Sequence, residues 1–169
     1  MIQHTPAACR AGRGLHPRKE RMTRIALLNF MRRHRVAVQA SVGNDTAPQA
    51  AIVGIAVGDD FEVVFDTLNS SRKARNLAAN PRIALVFGGW GTTEEQTVQY
   101  EGLADSPAGP ELERVRQLYF SVYPDGRDRL SWPGLIHVRV RPTWLRYSDF
   151  ARNPPQILEF SAAELAEFR

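Results

Sequence analysis

Two serines followed by an arginine and a lysine, Ser70-Ser71-Arg72-Lys73, are the residues of this 169-residue chain whose types and spacing point most directly to chemistry. The pattern predicts a short helix with Ser70 or Ser71 as N-cap. It should stop at Asn80, a residue that tolerates a left-handed conformation, just before Pro81. Arg72 and Lys73 then occupy the first turn, with Arg75 close behind, where the helix dipole already presents partial positive charge. Cations there repel the dipole, so the arrangement is favourable chiefly when an anion is held among them. Free backbone N–H groups, a serine hydroxyl and two cations make a phosphate site. The competing reading is a solvated basic helix face. Lysine usage weighs against it, because residues 22–169 contain sixteen arginines and one lysine, Lys73. A compact point charge and a planar fork are not interchangeable at a structured site, so a lone lysine at a helix start suggests a specific role.

The elements that must position these residues follow from pattern. Thr23 with Ile25, Leu28 and Met31 opens an amphipathic helix ending in Arg32-Arg33-His34-Arg35. Strands are expected at Val36–Val42, at Gln49–Val57 after a Gly43-Asn44-Asp45 turn, and at Glu62–Asp66 after Gly58-Asp59-Asp60. Ile83–Phe87 is a short apolar strand, Gly88-Gly89-Trp90-Gly91 a loop, and Gln96–Ala104 another strand. Pro110 starts a helix over Glu111–Tyr123 with Leu112, Val115, Leu118 and Tyr119 on one face. A long loop spans Pro124–Pro133. Strand segments follow at Leu135–Arg141 and Trp144–Tyr147, and Ser161-Ala162-Ala163-Glu164 is a capping box for a short last helix. The order predicts a mainly β protein, a six-stranded antiparallel barrel with peripheral helices.

Composition bounds the function. The overall charge of +4 belongs to residues 1–21, which carry five basic side chains against one acid, while residues 22–169 balance at seventeen of each. The body therefore offers no broad basic face, which argues against nucleic acid as a partner. Residues 1–21 lack apolar periodicity and the apolar core of a secretory leader, and are expected to be a disordered tail. Met22-Thr23 is an equally good start for the single domain 22–169. The one cysteine, Cys9, excludes an internal disulfide and a cysteine-based metal site. His4, His16, His34 and His137 have no ligand spacing, so no metal is expected. No apolar run reaches membrane-spanning length, and the cytoplasm is the expected location.

Phe65-Asp66-Thr67, Ser71-Arg72-Lys73-Ala74, Asn80-Pro81-Arg82, the strand to Phe87, Glu95-Gln96 and Gly102 fall in the order and spacing of a known family. The chain resembles the pyridoxamine 5′-phosphate oxidase-like proteins, FMN-binding split β-barrels, from about Thr23 to Phe150. The stretch from Trp132-Pro133-Gly134 to Phe150 looks like an uncharacterised branch of that family. The resemblance implies a homodimer with each FMN in the groove between chains. It implies that Arg72 and Lys73 hold the FMN phosphate with Ser71 at the helix start. The strand Ala51, Ile52, Val53, Gly54, Ile55 and Ala56 would line the isoalloxazine ring through its backbone. Asp66, Thr67 and Gln96 would contact the ribityl chain or ring edge, and Tyr147 or Trp132 would come from the partner chain. Each has a plainer reading: Ala51–Ala56 as a core strand, Thr67 as a turn residue, Gln96 as a solvated strand end, Tyr147 and Trp132 as packing.

The departures matter equally. The true oxidases hold their substrate's phosphate with a lysine where this chain has Ala56 and with an arginine near Tyr123. They also carry an Arg-Leu-His-Asp-Arg-like segment where Ser148-Asp149-Phe150-Ala151-Arg152 stands here. Tyr119 is retained, as a substrate or core residue. The expectation is an FMN-dependent oxidoreductase acting on an unidentified small molecule, not on pyridoxamine phosphate. No general acid or base stands out, with Asp66, Tyr123 and Asp149 as candidates. The alternatives are use of the deazaflavin F420, whose relatives share the Lys-x-x-Asn seen in Lys73-Ala74-Arg75-Asn76, and non-catalytic binding of flavin or haem.

Overall fold

The computed structural model describes residues 22–44, 46–88 and 95–168. The expected tail 1–21, Asp45 and most of the Gly88–Gly91 loop lie outside the described residues. The chain runs α1 (Arg24–Arg33), β1 (Val36–Val42), β2 (Pro48–Gly54), β3 (Ala56–Val57), β4 (Val63–Leu68), α2 (Arg72–Ala79), β5 (Arg82–Gly88), β6 (Gln96–Asp105) and α3 (Gly109–Val122). A 3₁₀ segment (Pro124–Ser131), β7 (Leu135–Asp149), β8 (Gln156–Ser161) and α4 (Ala162–Glu167) complete it.

All strands pair antiparallel in one sheet of order β2-β1-β5-β6-β7-β4-β3, with β8 added to β7. The sheet curls into the expected barrel because β2 and β3 are successive pieces of one stretch. They lie at opposite ends of the strand order. The stretch breaks at Ile55, whose N–H donates to the Arg35 carbonyl at 2.8 Å and so carries the β1–β2 register one residue further. The curl brings β2 against β4, but no strand pairing joins them. That seam is the split in the barrel.

Alternation decides which side chains fill it. Ala37, Val53, Val63, Phe65, Ile83, Leu85, Phe87, Val98 and Leu145 point inward to the main core, closed by Leu27, Phe30 and Met31 of α1. Tyr100 is buried among them, its hydroxyl shared between the Phe61 and Val140 carbonyls at 3.1 and 3.0 Å. A second, smaller cluster of Ala56, Val64, Val115, Tyr119 and Phe120 packs α3 on the outside of β3 and β4.

Several details depart from the sequence expectation. Leu135–Arg141 and Trp144–Tyr147 are one fifteen-residue strand that runs through Pro142. The ladder shifts register at Glu101/Gly102, opposite Pro142. Proline has no N–H to give, and a bulge accommodates that loss. The loop after Pro124 is mostly 3₁₀ helix, and β8 extends the sheet to eight strands. Asn80 is extended (φ −140°), not left-handed, and its side chain accepts from the Arg82 N–H at 3.2 Å.

Candidate functional site

At the end of β4 the chain turns tightly, with the Ser71 N–H donating to the Leu68 carbonyl at 2.9 Å. Ser71 is the N-cap of α2, its hydroxyl accepting from the Ala74 N–H at 3.2 Å. The same hydroxyl lies 3.1 Å from that of Thr67, and Lys73 Nζ donates to the Thr67 hydroxyl at 3.4 Å. Thr67, Ser71 and Lys73 thus converge at the start of a helix whose first-turn N–H groups have no partners within the helix. No acid lies in that turn. Arg75 behaves differently from its neighbours: its guanidinium donates back to the Ser70 carbonyl and braces the turn.

The seam beside this turn is lined by β2. One edge of β2 pairs with β1, and no strand among the described residues pairs with its other edge. Alternate backbone N–H and C=O groups of Ala51–Gly54 therefore face the seam and are available to a flat polar ring. Ile52 stands on the outer sheet face and is 73% exposed, while Val53 and Ile55 point into the core. Ala56 is 1% exposed beneath α3, so its side chain faces no ligand. Gly54 has a definite steric role: an added Cβ would come within 3.0 Å of the Tyr123 ring. Tyr123 is held there by its hydroxyl, which donates to the Arg35 carbonyl, and by the Arg35 guanidinium over its ring at 4.7 Å.

Asp66 sits one residue before Thr67 and points the other way, away from the seam. Its carboxylate accepts from the Tyr119 hydroxyl at 2.9 Å and from Arg129 Nε at 2.9 Å, and Arg129 Nη2 donates to the Tyr119 oxygen at 3.3 Å. Both carboxylate oxygens are thus engaged by α3 and the 3₁₀ segment, whereas the expectation placed Asp66 against the ribityl chain or ring edge. Burial, with Asp66 next, pushes the Tyr119 hydroxyl well above its ordinary pKa, so it remains protonated. Arg129 was invisible to pattern reasoning, since neither helical nor strand spacing links position 129 to position 66.

Three other expected residues divide. Trp132 is 52% exposed, two residues from Gly134, whose carbonyl accepts from the Asn69 N–H in the turn before α2. It therefore stands near the turn before α2 of its own chain. Gln96 does not. It begins β6, whereas α2 lies beside the far end of that strand, where Leu103 pairs with Arg82. Its amide donates to Asp149 at 3.1 Å, and Asp149 also accepts from Arg152 Nε at 3.0 Å. Tyr147 is 3% exposed, with its ring edge-on to Phe30 at 5.5 Å, so it is a core residue of its own chain rather than one exposed until a partner arrives.

A curled antiparallel barrel with an unpaired strand edge beside a cationic helix start defines a split-barrel protein. Residues 24–148 match the family model described as pyridoxamine 5'-phosphate oxidase, and the chain belongs to that family. A pyridoxine/pyridoxamine 5'-phosphate oxidase of Burkholderia lata is 40% identical over 126 residues, which are 69% of this chain and 56% of that protein. The chain thus spans little more than half the length of such curated relatives. Among solved structures, a heme binding protein from Mycobacterium smegmatis superposes with a TM-score of 0.74 at 16% identity, covering 87% of this chain and 61% of that one. A pyridoxamine 5'-phosphate oxidase-related, FMN binding protein from Nostoc punctiforme superposes with a TM-score of 0.62 at 13% identity, covering 89% and 93%. These two likenesses establish the fold.

Proposed function

We propose that this protein is an FMN-dependent oxidoreductase that works on a small, non-phosphorylated molecule as a homodimer. The observation that carries the reading is the convergence of Thr67, Ser71 and Lys73 at the α2 start beside the unpaired edge of β2. A phosphate fits that cradle: the Thr67 hydroxyl lies within hydrogen-bond reach of both the Ser71 hydroxyl and the Lys73 ammonium, with first-turn N–H groups and Arg72 alongside. The β2 edge supplies backbone donors and acceptors for a polar ring. FMN bound there would supply hydride transfer, and the protein's part is to hold the phosphate, orient the ring and exclude water.

Homodimerisation would complete the site. Val36, Val38, Ile52 and Val86 stand exposed on the outer face of the β2-β1-β5 sheet, an apolar area continuous with the β2 edge. Gln96, far from α2 in its own chain, would reach a flavin only across such an interface.

The named activity of the B. lata relative is not the one we favour. Ala56 is packed under α3, and Tyr123 is engaged with Gly54 and Arg35. Neither offers a cation to a substrate phosphate. F420 is the second cofactor reading, supported by Lys73 and Asn76 within one helix. Asn76 is buried, its amide donating to Ser41 at 3.4 Å, which gives it a structural task instead.

The test is spectroscopic and then mutational. Freshly purified protein should show the two separated flavin bands, where F420 gives one and haem a Soret band. Arg72→Ala and Lys73→Ala should each weaken FMN binding about 10- to 100-fold, the loss of a charge-assisted hydrogen bond of roughly 1.5–3 kcal/mol. Riboflavin, lacking the phosphate, should bind parent and variants alike. FMN affinity unchanged in both variants would place the phosphate elsewhere.

A further inference from the structure

His137 is the least expected group in the interior. It lies on β7 directly opposite Asp66 of β4, so the two side chains share the face covered by α3 and the 3₁₀ segment. It is 1% exposed, and neither ring nitrogen has a hydrogen-bond partner among the described residues. Its ring meets Tyr119 and Phe120 at 5.6 and 5.7 Å, nearly perpendicular to both. The imidazole therefore sits in an aromatic sleeve, beside the closed triangle of Asp66, Tyr119 and Arg129.

That triangle ties the 3₁₀ segment to the barrel. Arg129 is the segment's link to β4, and its other amino group is held by Asp125 of the same segment at 2.8 Å. The charged and titratable groups around His137 are Glu113, Arg116 and Tyr119 from α3, Asp66 from β4 and Arg129 from the 3₁₀ segment. Further along β7, Arg139 is already neutralised by Asp105 and Glu111. Asp66 is the one acid in the triangle, and both of its oxygens are taken.

We propose that His137 and the Asp66–Arg129 ion pair form an acid-released latch, in which protonation of the imidazole frees the 3₁₀ segment and the adjoining end of α3 from β4. A buried imidazolium cannot remain without an acceptor. Asp66 stands directly across the ladder from it, and drawing that carboxylate away unties Arg129; otherwise the sleeve opens to water. Either outcome loosens the wall formed by Tyr119 and Tyr123 beside Gly54. The sign agrees: burial first, and Arg116 next, hold the His137 pKa below its ordinary value, so the closed form prefers the neutral ring. Closure is complete above about pH 6.5 and weakens as pH falls below it. The device does not depend on which cofactor occupies the seam.

Hydrogen exchange of backbone amides at pH 7.5 and 5.5, corrected for intrinsic rates, tests it on the whole chain. In the parent, residues 119–131 should lose protection on acidification while β5 and β6 keep theirs. At pH 5.5 the loss is at most about tenfold, because that pH lies about one unit below the free imidazole value. His137→Leu and His137→Gln, apolar and polar replacements that do not titrate, should remove this pH dependence. Asp66→Asn should leave the segment unprotected at both pH values. Protection unchanged with pH in the parent overturns the latch, as does equal pH dependence in whichever histidine variant folds. Should neither fold, the parent's own imidazole can be followed by NMR: titration of His137 without any change in the amides of 124–131 would also overturn it.

Discussion

At the scale of residues, the site is built from short-range agreements. Thr67 ends a strand, Ser71 caps a helix, and Lys73 reaches back over one turn, so three side chains within seven positions meet without help from distant sequence. Ala56 shows the opposite case. Its small size reads as room for a ring, but it is a packing residue against Val64, Val115, Tyr119 and Phe120. Ala56→Lys should therefore not create pyridoxamine phosphate oxidation. It should destabilise by about 1–3 kcal/mol through overpacking, with a further cost for the ammonium. Thermal melting and turnover of pyridoxamine phosphate check this: an unchanged melting temperature with new turnover would contradict the placement of Ala56.

At the scale of elements, the long strand β7 joins the halves of the barrel. It pairs with β4 over Leu135–Val140 and with β8 over Trp144–Asp149, while β6 lies along most of its other edge. The strand survives Pro142 because Gly102 gives way opposite it. A Cβ on Gly102 would lie 2.6 Å from the Arg141 carbonyl and 2.6 Å from Val140 Cγ1. Backbone cannot yield as a flexible side chain does, so Gly102→Ala should cost about 1–3 kcal/mol. A urea midpoint equal to the parent's would show that the bulge has slack. Alanine at Gly109 meets no neighbouring atom, and its cost of about 1–2 kcal/mol should come from the positive φ alone.

At the scale of the whole molecule, the unpaired edge of β2 and the apolar face beside it are the surfaces that the proposed dimer would cover. Val38→Glu and Ile52→Glu place a charge on that face, where the chain itself demands nothing of the side chain. In a dimer built on this face each should shift sedimentation to the monomer and release FMN in parallel, with the melting temperature of the monomer showing that the barrel still folds. A parent that sediments as a monomer while retaining flavin would disprove both the dimer and the shared site. Among the described residues no helix is long and apolar enough to cross a membrane.

The sequence by itself determined what depends on neighbours along the chain. The Thr23, Ser71 and Ser161 caps, the proline at the start of α3, the alternation of the barrel strands and the cationic helix start all follow from spacing of a few residues. The split-barrel family was legible for the same reason, because the Ser71-Arg72-Lys73 segment that helps to mark it is local. Only the tertiary structure decided which way equivalent side chains point. It turned Asp66 from the seam to Arg129, sixty-three positions away, buried Tyr147 against Phe30 and set Gln96 at the far end of β6 from α2. It also enclosed His137 in its aromatic sleeve. Those outcomes depend on how far a sheet curls before it closes and on where a 3₁₀ segment returns to it. Both are set by packing among strands distant in sequence, and no local pattern encodes them.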